Sequence, residues 1–430
     1  MFTPPLSRRA FLKTLGASSL GLLSGGRVRG AITRGRVVVI GGGFGGATAA
    51  KYVRLFDPWI EVTLVEPKRS YMTCPAGNWV LGGLRDLPSI TQTYAGLARL
   101  GVNMIHDTAT VIEPGERQIR LKGGAILSYD RLIVSPGIDF RWRAIDGYSA
   151  ETAHVLPHAW EGGHQTRLLR EQLVAMRDGG TVIITAPQTP YRCPPGPYER
   201  ASLIAQYLKA NKPKSKVLIL DAKTAFTKQD LFVAGWEQLY GYGGDNSLIE
   251  WVSGPDGQVR VVNARTMTAT AGPLEEKYKG DVLNVIPPQM AGFIARDAGL
   301  ADQSGWCPID HKTCESALQR GVHVIGDAAI QDPMPKSAYV ANSQAKVCAD
   351  AVVALLNGRT PGEPSWINTC YSLVGSEYGI SIADVYALNA KGAVESVPGA
   401  GGLSADDANH TLEAAYAKSW YTNIVNDTFA

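Results

Sequence analysis

Two features of this 430-residue sequence could do chemistry: a glycine run, Gly41-x-Gly43-x-x-Gly46, and six cysteines, Cys74, Cys193, Cys307, Cys314, Cys348 and Cys370. Glycines at that spacing let the chain turn tightly, let backbone approach a pyrophosphate, and let a helix pack closely on its strand. The pyrophosphate then meets the amide-rich start of the helix. Glu66 stands 20 residues beyond Gly46, where a carboxylate can accept hydrogen bonds from an adenosine ribose. The cysteines allow many full pairings, and their spacing selects none of them. They form no Cys-x-x-Cys-His haem attachment and no zinc spacing with histidine. Taken one at a time, cysteines are more often buried and inert than reactive.

The elements that must position the glycine run are legible. Residues 36–40, Arg-Val-Val-Val-Ile, read as a buried parallel strand. A helix follows over 47–56, and a strand over 61–65 ends at Glu66, which completes one βαβ unit. Residues 130–135 add a strand, and Pro136-Gly137 closes the first segment. A second α/β region, about 150–272, carries helices at 165–177 and 199–210 and strands at 181–185 and 216–220. The chain is then expected to return to the first domain through strands at 281–286 and 322–325. The latter ends in Gly326-Asp327, which resembles the second FAD signature of the pyridine-nucleotide-disulfide oxidoreductase superfamily. In that pattern the Asp contacts the ribityl and pyrophosphate end of the flavin, so FAD is the expected dinucleotide. After Thr185, where NADH-using members carry another glycine fingerprint, the chain reads Ala186-Pro187-Gln188-Thr189-Pro190-Tyr191-Arg192-Cys193-Pro194-Pro195. Proline has no amide to offer a pyrophosphate, so nicotinamide nucleotide is not the expected electron donor.

Composition sets outer bounds. With 45% hydrophobic and 19% charged residues, the chain is ordinary globular protein, long enough for two or three domains. Lys plus Arg (42) nearly balances Asp plus Glu (39), and no basic stripe interleaves with aromatics, which argues against nucleic acid. The N-terminus stands out. Ser7-Arg8-Arg9-Ala10-Phe11-Leu12-Lys13 precedes a mildly apolar stretch to Gly26. This reads as a twin-arginine (Tat) export signal, because a membrane span needs roughly 20 strongly apolar residues. Cleavage is expected between Gly26 and Ile32. A cut after Gly30 removes five basic residues and no acids, which turns the formal charge of +3 into −2. No later stretch is apolar enough to span a bilayer, so a periplasmic protein without a transmembrane segment is expected.

Arg192-Cys193-Pro194-Pro195-Gly196-Pro197-Tyr198-Glu199-Arg200 and Asn368-Thr369-Cys370-Tyr371-Ser372 strongly resemble the flavoprotein chain of flavocytochrome c sulfide dehydrogenase. So do Ser70-Tyr71-Met72-Thr73-Cys74, Gly305-Trp306-Cys307-Pro308, Pro333-Met334-Pro335-Lys336-Ser337, and the run from Ser419-Trp420 to Val425. The resemblance implies that Cys74 bonds covalently to the flavin and that Cys193 and Cys370 form a redox-active disulfide beside it. It places Glu199 near that disulfide and Trp420 in the pocket wall. Cys307 has a family counterpart without an assigned role, whereas Cys314 and Cys348 depart from the pattern and read as buried thiols or an extra disulfide.

Elementary chemistry agrees. Hydrosulfide is a soft nucleophile, and a disulfide is the soft electrophile it attacks by thiol–disulfide exchange. Glu199 could take the sulfide proton, or could simply favour the start of its helix. Sulfide gives two electrons, a haem accepts one, and FAD can handle both, so a c-type cytochrome subunit in a heterodimer is the implied partner. Three other readings remain open: a sulfide:quinone oxidoreductase, an NAD(P)H-dependent disulfide reductase, and a non-catalytic electron-transfer flavoprotein.

The expected fold is therefore α/β and glutathione-reductase-like, with two three-layer nucleotide-binding-type domains plus a C-terminal interface domain. The expected organisation is a Tat signal at 1–30, a FAD-binding domain at 31–149 and 273–360, a second nucleotide-binding-like domain at 150–272, and an interface domain at 361–430. Expected catalytic residues are Cys193, Cys370 and Glu199. Expected FAD-binding residues are Gly41, Gly43, Phe44, Gly46, Glu66, Cys74, Asp327 and Trp420, and no metal site is expected.

Overall fold

A strand of β-branched residues with no polar face can be satisfied only by burial on both sides, and the first strand is buried in this way. The computed structural model describes residues 33–405 and 407–430, so the expected export signal, and the span in which its cleavage is expected, lie outside the described residues. Strand β1 (Gly35–Ile40) is followed by helix α1 (Phe44–Phe56) and strand β2 (Ile60–Val65), which pairs in parallel with β1 from Gly35 opposite Ile60 to Ile40 opposite Val65. Strands β3 (Asn103–Ile105) and β4 (Arg131–Val134) extend the sheet on its two sides. Val37, Val38, Val39 and Ile40 are all buried, and each such side chain contributes roughly 1.5–3 kcal/mol. Helix α1 begins at Phe44, three residues earlier than its composition predicts. Glycine is a poor helix former, but here close packing on β1 overrides propensity.

The second sheet follows the same logic. Helix α2 (His164–Ala175) leads to strand β5 (Thr181–Ala186), helix α3 (Gly196–Asn211), strand β6 (Lys216–Asp221), helix α4 (Gln229–Tyr240) and strand β7 (Ile249–Ser253). Helix α3 starts three residues before the expected Glu199, because proline is tolerated in the first turn, where amides have no helical partner. It ends where Lys212 precedes Pro213, which disfavours helical backbone at Lys212.

Strand β8 (Val282–Val285) corrects the sequence reading. It was expected to join the first domain, but it pairs in parallel with β5, Val182 opposite Val282, so the second sheet runs β7-β6-β5-β8. Strand β9 (Val322–Val324) does return, pairing with β4 to give the five-stranded order β9-β4-β1-β2-β3. Helix α5 (Ala338–Leu356) follows, and its Leu356 packs against Gly35. Beyond residue 361 the chain forms a long antiparallel hairpin, β10 (Ser365–Gly375) with β11 (Tyr378–Leu388), and then helix α6 (His410–Phe429). Among the described residues no helix is long and apolar enough to cross a membrane, and no cluster of His, Cys, Asp and Glu could hold a metal ion.

Candidate functional site

The turn from β1 into α1 is built around two close approaches. Gly41 has φ +96°, and a Cβ there would stand 2.3 Å from the Ser135 carbonyl oxygen. A Cβ on Gly46 would stand 1.8 Å from the Gly41 carbonyl oxygen. Gly43 caps α1 without a side-chain hydrogen bond, which leaves the first amides of the helix free for a ligand. Phe44 opens the helix, and its ring meets Tyr71 edge-on at 5.9 Å. Glu66 follows β2 directly. Its carboxylate accepts hydrogen bonds from the Gly42 amide (2.8 Å) and the Lys68 amide (2.9 Å), one on each oxygen. Both oxygens keep lone pairs for a ribose.

Asp327 follows β9 in a single 3-10 turn, Gly326–Ala328. Burial pushes its carboxyl above the usual range, against the pull of Arg192 and Lys336. Arg192 Nη1 lies 3.9 Å from Asp327 Oδ2, while Asp327 Oδ1 and Arg192 Nε are buried without any protein partner. Buried polar atoms without partners are costly, so the pair fits a polar ligand group. Lys336 bonds the Asp327 and Ala329 carbonyls at 2.7 and 2.8 Å and lies over the Trp306 ring at 3.9 Å; burial lowers its pKa to about 8. The free helix amides, Glu66 and this orphaned pair together fit a flavin dinucleotide.

Cys193 sits between Arg192 and two prolines with φ +58°, a left-handed conformation that costs about 1–3 kcal/mol in a residue other than glycine. Its backbone is fixed at both ends: its amide donates to the Lys336 carbonyl (2.7 Å), and its carbonyl accepts from the Gly196 amide (2.8 Å). Cys370 lies mid-strand on β10, opposite Ile382. Burial raises the Cys193 thiol well above its ordinary pKa, and Cys74, Cys370 and Glu199 raise it further against Arg192. Burial also raises Cys370; Lys228 opposes that rise and Glu199 adds to it. Thus Cys74 and Cys370, far apart in sequence, come close enough to the Cys193–Glu199 segment to bear on the charge of Cys193.

Glu199 is the hub of that place. Its carboxylate accepts from Asn78 Nδ2 (2.9 Å), Trp79 Nε1 (3.1 Å) and the Leu373 amide (2.9 Å). Hydrogen bonds to a charged group contribute roughly 1.5–3 kcal/mol each. Glu199 therefore ties α3 both to the turn after Cys74 and to the strand that carries Cys370. Arg200 beside it is buried and gives its guanidinium only to neutral acceptors: Asn78 Oδ1 (3.0 Å), Asn284 Oδ1 (2.7 Å) and the carbonyls of His158 (3.0 Å) and Ala159 (2.6 Å). Burial lowers its pKa to about 10.

The six cysteines fall into two sets. Cys74, Cys193 and Cys370 are half-buried, whereas Cys307, Cys314 and Cys348 are fully buried. Burial raises the Cys348 thiol well above its ordinary pKa, and the neighbouring Cys314 raises it further. All six are free thiols in the structure. Trp420 on α6 stacks near Tyr339 (6.2 Å), is tilted against Tyr371 (6.3 Å), and lines a cleft of about 360 Å³ with Thr369 and Tyr371, the residues either side of Cys370.

Sequence reasoning passed over Arg192 and Arg200 although both stand in the cysteine-proline motif, and it passed over Lys228, which no motif flags. It also missed Asp221. That carboxylate ends the second strand of the second sheet, the place Glu66 holds in the first. It is spent on Tyr198 Oη (2.6 Å), Trp251 Nε1 (3.1 Å) and Lys223 Nζ (2.6 Å).

Three family models match the chain. Residues 166–287 match the central part of the sulfide dehydrogenase (flavocytochrome c) flavoprotein chain, and residues 362–429 match flavocytochrome c sulphide dehydrogenase, flavin-binding. Residues 35–174 match pyridine nucleotide-disulphide oxidoreductase. The chain is 67% identical over 45 residues to the sulfide dehydrogenase flavoprotein chain of Chlorobaculum thiosulfatiphilum, covering 10% of this chain and 94% of that sequence. It is 24% identical over 335 residues to the mitochondrial sulfide:quinone oxidoreductase of Mus musculus, covering 76% and 72%. The sulfide:quinone oxidoreductase structure from Aquifex aeolicus superposes with a TM-score of 0.66 at 17% identity, over 91% of this chain and 92% of that one. The fold is thus the glutathione-reductase-like α/β fold expected from the sequence.

Proposed function

The chain belongs to the family of flavocytochrome c sulfide dehydrogenase flavoprotein chains, and on that premise we propose that it is a periplasmic FAD enzyme that oxidises sulfide through a Cys193–Cys370 disulfide and passes the electrons to a c-type cytochrome subunit. The observation that carries this reading is the convergence of three half-buried cysteines with Glu199, beside residues that fit a flavin dinucleotide. Hydrosulfide attacks one sulfur of the disulfide; the S–S bond breaks, a persulfide forms on that cysteine, and the other leaves as thiolate. FAD supplies a two-electron acceptor that can release electrons singly. Glu199 holds the two cysteine-bearing elements in register, and Cys74 is the attachment point that would keep the flavin on an exported protein.

The remaining assignments follow from the same premise. Residues 31–149 and the return segment through β9 and α5 would form the FAD domain, and residues 361–430 the partner-facing one. A Tat signal in residues 1–30 would deliver the folded flavoprotein. The second sheet would take no nicotinamide nucleotide, since prolines fill its turn and Asp221 is occupied by the chain's own side chains.

The acceptor is what separates this reading from a sulfide:quinone oxidoreductase. Purified protein supplied anaerobically with sulfide is expected to reduce a c-type cytochrome and to leave a short-chain ubiquinone unreduced. Sulfide consumption that requires quinone and ignores cytochrome overturns the proposal.

A further inference from the structure

Lys228 is a buried cation without a counter-charge. It occupies the left-handed residue ahead of α4 (φ +64°) and is only 4% exposed. Its ammonium donates to the Cys370 carbonyl (3.1 Å) and the Ser372 hydroxyl (2.8 Å) and lies 5.9 Å from the centre of the Phe232 ring. Among the described residues no carboxylate lies within ion-pair distance of it. A buried, unpaired ammonium is costly, and it gains its compensation wherever a negative charge appears beside it. Cys370 and Ser372, two residues apart on β10, point to the same face of the strand, so the sulfur of Cys370 is such a place.

The cations beside the two sulfurs differ in what else holds them. Cys370 faces Lys228 from the loop before α4 and Glu199 from α3. Cys193 also faces Glu199, but the cation beside it, Arg192, lies 3.9 Å from Asp327 Oδ2 and donates to the Trp160 carbonyl, so its charge is already shared. Resting on the disulfide reading above, we propose that Lys228 is a positioning residue that holds the leaving Cys370 sulfur as thiolate and so directs hydrosulfide to Cys193. The step balances: hydrosulfide and the disulfide give a Cys193 persulfide and a Cys370 thiolate, one S–S bond forms as one breaks, and the single negative charge moves to Cys370.

Two measurements on the full flavoprotein test this. In the first, the protein is reduced with a phosphine and alkylated with iodoacetamide across a pH series, and the Cys193 and Cys370 peptides are read separately by mass spectrometry. Lys228→Met is expected to move the Cys370 midpoint upward, which slows its alkylation on the order of tenfold at a fixed pH below the midpoint. Cys193 is expected to hold its midpoint, and Lys228→Arg to restore most of the Cys370 rate. An unmoved Cys370 midpoint in folded Lys228→Met overturns the proposal, since a purely structural lysine would leave it there. The second measurement needs no variant: wild-type protein receives one equivalent of sulfide, and the persulfide is trapped. A persulfide on Cys193 supports the proposal, and one on Cys370 overturns it. A persulfide on neither overturns the disulfide reading it rests on, while the alkylation series still reports what Lys228 does to the thiol.

Discussion

Cys370→Ser and Cys193→Ser are each expected to keep FAD and to lose sulfide-dependent flavin reduction by at least about a thousandfold. A hydroxyl is close in shape to a thiol but can form no disulfide, so hydrosulfide loses its electrophile while the packing around Glu199 stays in place. Residues that act as one unit are not additive, so the double variant is expected to be no slower than either single one. The flavin spectrum of each variant provides the internal control, because the β1–α1 turn, Glu66 and Asp327 are untouched. Rapid flavin reduction by sulfide in either serine variant would contradict the disulfide route. It would leave the flavoprotein intact but place the chemistry elsewhere.

Gly46→Ala is expected to cost about 3 kcal/mol or more and to leave most of the purified protein without flavin. Its Cβ would stand 1.8 Å from the Gly41 carbonyl oxygen. Both partners are backbone, so relief requires α1 to move off β1, and the free amides at the helix start move with it. Gly115→Ala is the matched comparison, since a Cβ there meets nothing within 4 Å and the residue is exposed away from the site. The two variants are compared by thermal melting and by the ratio of flavin to protein absorbance. Full flavin content in Gly46→Ala would show that the close approach does not set the cofactor site.

How legible all this was in the sequence depended on distance along the chain. The β1–α1–β2 unit and Glu66 were readable because strand, turn, helix and acid lie within one short stretch whose glycines have local reasons. The start of α3 was misplaced for an equally local reason, the low helix propensity of Gly196 and Pro197, which matters little in a first turn. Strand β8 was recognised as a strand but given to the wrong sheet, because its β-branched pattern suits either one. Its choice of β5 is made by a pairing that spans Val182 and Val282. Cys193, Cys370 and Glu199 came from a motif, whereas the hydrogen bond from the Leu373 amide that joins them had no signal at all. Lys228 reads in sequence as one more lysine. Only the tertiary structure buries it against Cys370 and makes its charge matter.

The central claim is that sulfide reduces this flavin, and the most direct measurement is anaerobic addition of sulfide to the purified protein while the flavin absorbance is recorded. Prompt bleaching of the flavin, or a long-wavelength charge-transfer band from a thiolate beside the ring, is the predicted result. A flavin spectrum that sulfide leaves unchanged would contradict the account and leave a FAD protein with another donor.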